Sequence, residues 1–312
     1  MAHQVETMAY AGELPWHGLG VKVSDDLTPA EIQKEAGLEW EVQKVPMFAN
    51  ANGSEVKIPN QTALIRESDN KVLSIVGDNW EPVQNSTAFE FFTDFVKQGK
   101  MKMHTAGSLQ DGKMVWALAK VDDDFELFNG DKVESYLLFS NPHQYGKSID
   151  VRFSPIRVVC NNTLTMALNG KAGVSLDHRK AFDSQTVQQT LGLAHESMEE
   201  YKEVAEFLGS KRYTKDTLNQ YFADVFGKSS KSDEKELILT RNGNKALEII
   251  DTQPGADYQR GTFWQALNAV TYLADHELAN TRDMRMYASW FGANRVKKIN
   301  AVKKAVEYAK AA

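Results

Sequence analysis

Apolar positions change their period along the chain, and the change divides it. Trp40–Val45 (WEVQKV) alternates apolar and polar residues, the pattern of a half-buried strand. Thr62–Arg66 and Val72–Val76 read as the arms of a hairpin around Ser68-Asp69-Asn70. Lys102–Ala106, Met114–Val121, Ser135–Ser140 and Ser148–Ile156 are further strands, with Asp111-Gly112 as a hairpin turn and Asn129-Gly130 as another turn. Two helices interrupt this block. Thr28, Pro29 and Glu31 form a capping-box start for a short helix that Gly37 closes. Ser86 caps a helix over Thr87–Lys97, ended by Gly99, whose Ala88, Phe91, Phe92, Phe95 and Val96 fall at helical spacing and face a core. Residues 1–23 read as irregular, with Pro15–Gly20 (PWHGLG) forming a tight loop that carries His17.

Beyond Gly170 the period becomes helical. Thr186–Gly209 places Leu191, Ala194, Met198, Tyr201, Val204, Ala205 and Leu208 on one stripe. Helices follow at Lys215–Phe226, Ala246–Ile250, Thr262–Leu278, Met284–Gly292 and Asn294–Ala309. The expected fold is therefore α+β: a mixed, mainly antiparallel sheet within residues 38–160, flanked by helices, and a helical C-terminal part. The expected division is 1–170 and 171–312, the second packed on the first. No internal repeat or low-complexity tract is present.

Charge sharpens the picture. The net charge is −6, which argues against a general polyanion coat but not against a local basic groove. Between Arg282 and Lys310 eight Lys/Arg stand against two acids, a local +6 that leaves −12 for the rest. Lys100, Lys102 and His104 alternate at the start of the strand block, so they share one strand face. At its end, RFSPIRVVCNNTLTMAL (Arg152–Leu168) reads as a basic strand running into a helix capped near Asn161, Asn162 and Thr163. Arg152 and Arg157 at a helix start suit a phosphate. Arg282, Arg285, Arg295, Lys297 and Lys298 add cations in the last helices, and Trp80, Tyr145 and Trp290 are aromatics available for base stacking.

Several chemistries lack their signatures. No phosphate loop, dinucleotide-binding glycine pattern, H-E-x-x-H zinc motif or G-x-S-x-G elbow occurs. Asp122-Asp123-Asp124 reads as a solvated turn rather than a cation loop. The single cysteine, Cys160, cannot form an internal disulfide and fits a reducing cytoplasm as a buried apolar residue. The N-terminus has no signal-peptide pattern, and no stretch approaches the roughly 18 apolar residues of a membrane span. No catalytic residue, metal or cofactor is assigned.

Four blocks, PWHGLG, VGDNWEPVQN (Val76–Asn85), RFSPIRVVCNNTL (Arg152–Leu164) and GTFWQALNAVTYLADH (Gly261–His276), resemble in content and order the phage/plasmid-like protein family, domain of unknown function 932. The resemblance implies a mobile-element setting and no established activity. The element order from Thr87 to Leu168 is similar to single-strand annealing proteins of the Rad and Red-beta type, which bind single-stranded DNA in a positive groove of a homo-oligomer. The leading expectation is a cytoplasmic, homo-oligomeric accessory protein of phage or plasmid DNA metabolism that binds single-stranded nucleic acid and anneals strands. Its contacts would be Lys100, Lys102, His104, Arg152, Arg157, Asn161, Asn162, Arg282, Arg285, Arg295, Lys297 and Lys298. A non-catalytic protein that engages a host or phage protein is the second reading. The third is an enzyme on a phosphorylated substrate using His17, His104 or His276 as acid/base.

Overall fold

The computed structural model describes residues 4–12, 18–97, 100–122, 124–128, 130–157, 162–163, 173–176, 178, 184–229, 237–278 and 284–312. In chain order the elements are β1 (Val5–Tyr10), β2 (Val21–Lys22), α1 (Pro29–Glu35), β3 (Val42–Ala51), β4 (Ser54–Arg66), β5 (Lys71–Val76), α2 (Asn85–Glu90) and α3 (Thr93–Lys97). Then come β6 (Met101–Leu109), β7 (Met114–Val121), β8 (Phe125–Leu127), β9 (Asp131–Pro142), β10 (Ile149–Arg157), β11 (Asn162–Thr163) and β12 (Gly173–Leu176). The helical end is α4 (Ser184–Ser210), α5 (Lys215–Phe226), α6 (Arg241–Ile249), α7 (Phe263–His276), α8 (Arg285–Trp290) and α9 (Ala293–Ala311). The fold is α+β with a mainly antiparallel sheet and a helical C-terminal part, as the periodicity predicts.

The chain forms two compact units that interleave along the sequence. The first is Met1–Asp122, Tyr136–Arg152 and Gly173–Leu191; the second is Asp123–Ser135, Phe153–Ala172 and Gly192–Ala312. In the first unit the strands run β10-β9-β7-β6-β1-β2, antiparallel except for the parallel β1–β2 pair, with β12 paired to β10. β1 lies in the stretch read as irregular. It enters the sheet because Val5, Met8, Ala9 and Tyr10 are all buried. Gly107 permits its close approach to β6: a Cβ there would stand 2.6 Å from the Thr7 carbonyl oxygen.

One sheet face carries Met101, Met103, Ala106, Val115, Ala117, Ala119, Leu137 and Phe139, and Ile32, Phe89, Phe92 and Phe95 pack onto it. Each such aromatic contributes roughly 1.5–3 kcal/mol by leaving water. Thr28 caps α1 through the capping box with Glu31. The helix expected over Thr87–Lys97 is instead two, α2 from Asn85 and α3 from Thr93, with Phe91 and Phe92 in the turn between them. Both rings are buried, so core packing overrides helix continuity there.

A second sheet, β3-β4-β5, packs Val42, Leu64, Leu73 and Val76 against Trp80. The hairpin around Ser68-Asp69-Asn70 is present, and β4 also runs back to an Asn52-Gly53 turn whose residues have φ of 52° and 79°. Arg66 joins the two sheets. Its guanidinium donates to both Glu6 carboxylate oxygens (2.9 and 2.8 Å) and to Asp69, and lies 5.3 Å from the Trp40 ring centroid.

In the second unit Tyr201, Ala205 and Leu208 of α4, Tyr221 and Phe222 of α5, α7, and Ala301, Val302 and Ala305 of α9 share one core, closed at one end by Leu127 and Val133 of the β8–β9 hairpin. α7 is apolar nearly all round, as a central helix must be.

Candidate nucleic-acid interface

The Arg152–Leu168 stretch differs from its sequence reading. β10 runs to Arg157, and Asn162-Thr163 form β11, which pairs back antiparallel (Ile156↔Thr163, Arg157↔Asn162). Asn162 is therefore a strand residue opposite Arg157 and not a helix cap. Backbone pairing with β10 satisfies groups that a cap would have served. Arg152 is only 4% exposed and is ion-paired with Asp150. Its charge is met inside the fold, which removes it from the phosphate contacts expected of it. Asn161, Cys160, His17, Arg282 and the helix expected from Leu164 lie outside the described residues.

Lys298 requires a similar correction. It is 1% exposed, and its Nζ donates to Asp275 Oδ1 at 2.5 Å and to Ser289 Oγ at 3.1 Å. Ser289 Oγ also donates to Asp275. One residue each from α7, α8 and α9 thus meets in a buried polar cluster. Asn294 Nδ2 donates to the Ala274 carbonyl at 2.9 Å and to that of Leu278, satisfying acceptors at the end of α7 that the helix leaves open. Gln265 is fixed likewise, accepting from Tyr213 Oη and the Gly261 N–H and donating to the Ile250 carbonyl. The polar residues of the Gly261–His276 block are thus explained as internal ties of a buried helix.

What these ties hold in place is the α8–α9 pair. Arg285 opens α8, and Arg295 sits in the first turn of α9. Both are half-buried, and the buried Nε of each finds no acceptor among the described residues. Burial lowers the Arg295 pKa, and no acid contributes in the opposite direction. A half-buried guanidinium with no carboxylate beside it is a place for an external anion. Tyr287, Trp290 and Phe291 are half-buried on the same short helix and the residue after it, with the Trp290 and Phe291 rings edge to face at 6.3 Å. Lys297 lies with its amine 5.4 Å from the Phe226 ring centroid. Trp290 was legible from sequence as a stacking residue; Tyr287 and Phe291 carry no signal apart from their position between two arginines.

In the first unit, Lys100 and Lys102 are exposed at the start of β6. Lys102 faces Lys120 across the β6–β7 ladder, a like-charge pair that a bound anion would relieve. His104 is half-buried at a bulge of β6, with Nδ1 2.6 Å from Thr105 Oγ1 and its ring against Tyr136. His276 stacks on Tyr272. As acid/base candidates His104 and His276 thus have internal contacts, in different units.

A network missed in the sequence surrounds the Val76–Asn85 block. The carbonyls of Glu81 and Val83 and the side chain of Asn85 take N–H groups from His178 (3.2 Å), Asn141 (2.7 Å) and His143 (3.0 Å). Trp80 stacks on His178 at 4.1 Å. Asn85 Nδ2 donates to the Leu38 and Trp40 carbonyls, so its oxygen must accept and His143 must carry its proton on Nε2. Burial first, and the charge of His178 second, hold the His143 pKa at about 3.

Among the described residues no group of three or more His, Cys, Asp or Glu is placed to hold a metal. Likewise no described helix is long and apolar enough to cross a membrane. No curated protein and no solved structure matches the chain. Residues 72–305 match the model of a domain of unknown function, DUF932, and the chain belongs to that family.

Proposed function

We propose that this protein binds single-stranded nucleic acid, with α8 and α9 as its principal contact and strand annealing in phage or plasmid DNA metabolism as its role. The observation that carries this reading is the pair Arg285 and Arg295, half-buried cations without a described acceptor, on a helix pair that also bears Tyr287, Trp290 and Phe291. Guanidiniums neutralise phosphates while aromatic rings stack on unpaired bases, a combination that suits a single strand and gives little sequence preference. Lys297 adds a cation on α9, and Lys100 and Lys102 are the exposed cations of the first unit. The revised contact set omits Arg152 and Lys298, whose charges have internal partners.

Fluorescence anisotropy of a labelled single-stranded oligonucleotide, with the same sequence as a duplex for comparison, tests the proposal. The expected result is binding to the single strand that is tighter than to the duplex and weakens with salt. Equal affinity for both forms, or no binding at low salt and micromolar protein, would overturn it. Strand annealing is then read from the rate at which two complementary labelled strands pair with and without protein.

A further inference from the structure

The three-stranded sheet is apolar on both faces. Its inner face packs on Trp80. On the outer face two rows cross the strands: Val45, Ala63 and Ile75 in one, Gln43, Ile65 and Val72 in the next. The register of β4 with β5 steps from Leu64↔Ser74 to Ile65↔Val72, leaving Leu73 as the extra residue of a bulge. That extra residue is what places Val72 and Ile75 on one face, where they remain 55% and 47% exposed. A one-sided antiparallel sheet ordinarily turns polar residues to water; this one does not.

Past the Val45 row, β3 and β4 continue without β5 as a two-stranded arm, residues 46–61, ending in the Asn52-Gly53 turn. At about 3.3 Å per residue the arm extends roughly 25 Å. Phe48 and Val56, 56% and 52% exposed, lie in adjacent cross-strand pairs and so on opposite faces of it. A lone two-stranded hairpin is marginal in water, so an arm with apolar residues on both faces gains by lying against another surface.

We propose that the outer face of this sheet and its hairpin arm form a twofold interface between two copies of this chain. Charge selects the partner. Across a twofold axis a surface meets itself, so any net charge would face its like. The two rows contain no charged residue, and the arm carries one acid and one base, Glu55 and Lys57, which can pair reciprocally with the symmetry-related arm. In a chain of net charge −6, this is a surface on which two copies meet without repulsion. Size agrees as well. The six row residues alone fall short of the roughly 20–30 residues per side of a stable interface, and the arm brings the surface into that range.

The test is sedimentation velocity on the full chain over a range of micromolar concentrations, with Val72→Lys/Ile75→Lys as the variant. The wild type is expected at twice the chain mass and the variant at the mass of one chain, with far-ultraviolet circular dichroism unchanged because both positions are exposed. Hydrogen exchange of the wild type, dilute and concentrated, gives a reading that needs no variant: amides of residues 46–61 and 71–76 should gain protection with concentration. A wild type that stays monomeric, an oligomer that the lysine pair leaves intact, or exchange in these segments that ignores concentration would each overturn the proposal. None of these outcomes bears on whether α8 and α9 bind nucleic acid.

Discussion

Acidification asks His143 to accept a proton that its site cannot solvate. The ring is fully enclosed, its Nε2–H is committed to Asn85 at 3.0 Å, and His178 is close enough to disfavour a second positive charge. Its pKa is about 3 in the fold, against 6.5 without these surroundings. The unfolded chain therefore takes up the proton below pH 6.5, whereas the folded chain does so only near pH 3. The stability contributed by the neutral ring is complete at pH 7 and lost progressively as pH falls from 6.5 towards 3. At 1.36 kcal/mol per pH unit, the loss from this group is about 2 kcal/mol at pH 5 and about 3 kcal/mol at pH 4. The assay is urea unfolding followed by tryptophan fluorescence at pH 7, 6, 5 and 4, for the wild type and for His143→Gln. Glutamine can still donate to Asn85 but cannot titrate. The variant is expected to be less stable at pH 7 and to lose about 2 kcal/mol less than the wild type between pH 7 and 5. Parallel pH profiles for the two proteins would refute the reasoning.

Lys298→Met should destabilise by about 3–5 kcal/mol, because it leaves Asp275 buried without its cation; Asp275→Leu added to it should recover most of the loss in the same urea assay. Gly107→Ala places a methyl 2.6 Å from a backbone oxygen of β1, which cannot swing aside as a side chain would. A cost of about 1–3 kcal/mol is expected, seen as a lowered thermal midpoint.

Local chemistry was the legible part of the fold. The Thr28 capping box, the Asp111-Gly112 turn and the bounds of β7 and α5 follow from neighbouring residues alone and match the structure. β1 escaped notice because its burial comes from pairing with β6, about a hundred residues away, rather than from a two-residue alternation. The arm escaped because Pro46 and Pro59 suggest a loop, although Asn52-Gly53 was a hairpin signal in plain view. For the site, sequence could find cations but not their partners. Asp150 stands two residues from Arg152, while Asp275 and Ser289 reach Lys298 only through the packing of three helices. Charge runs show where cations are dense; burial decides which of them remain available to a ligand.

The central claim rests on two arginines, and their share of the salt dependence tests it most directly. Logarithmic affinity for a labelled single strand, plotted against logarithmic salt concentration, should have a slope shallower by about 1.4 in Arg285→Ala/Arg295→Ala than in the wild type, about 0.7 for each phosphate contact removed. An unchanged slope and affinity in a folded double variant would contradict the account.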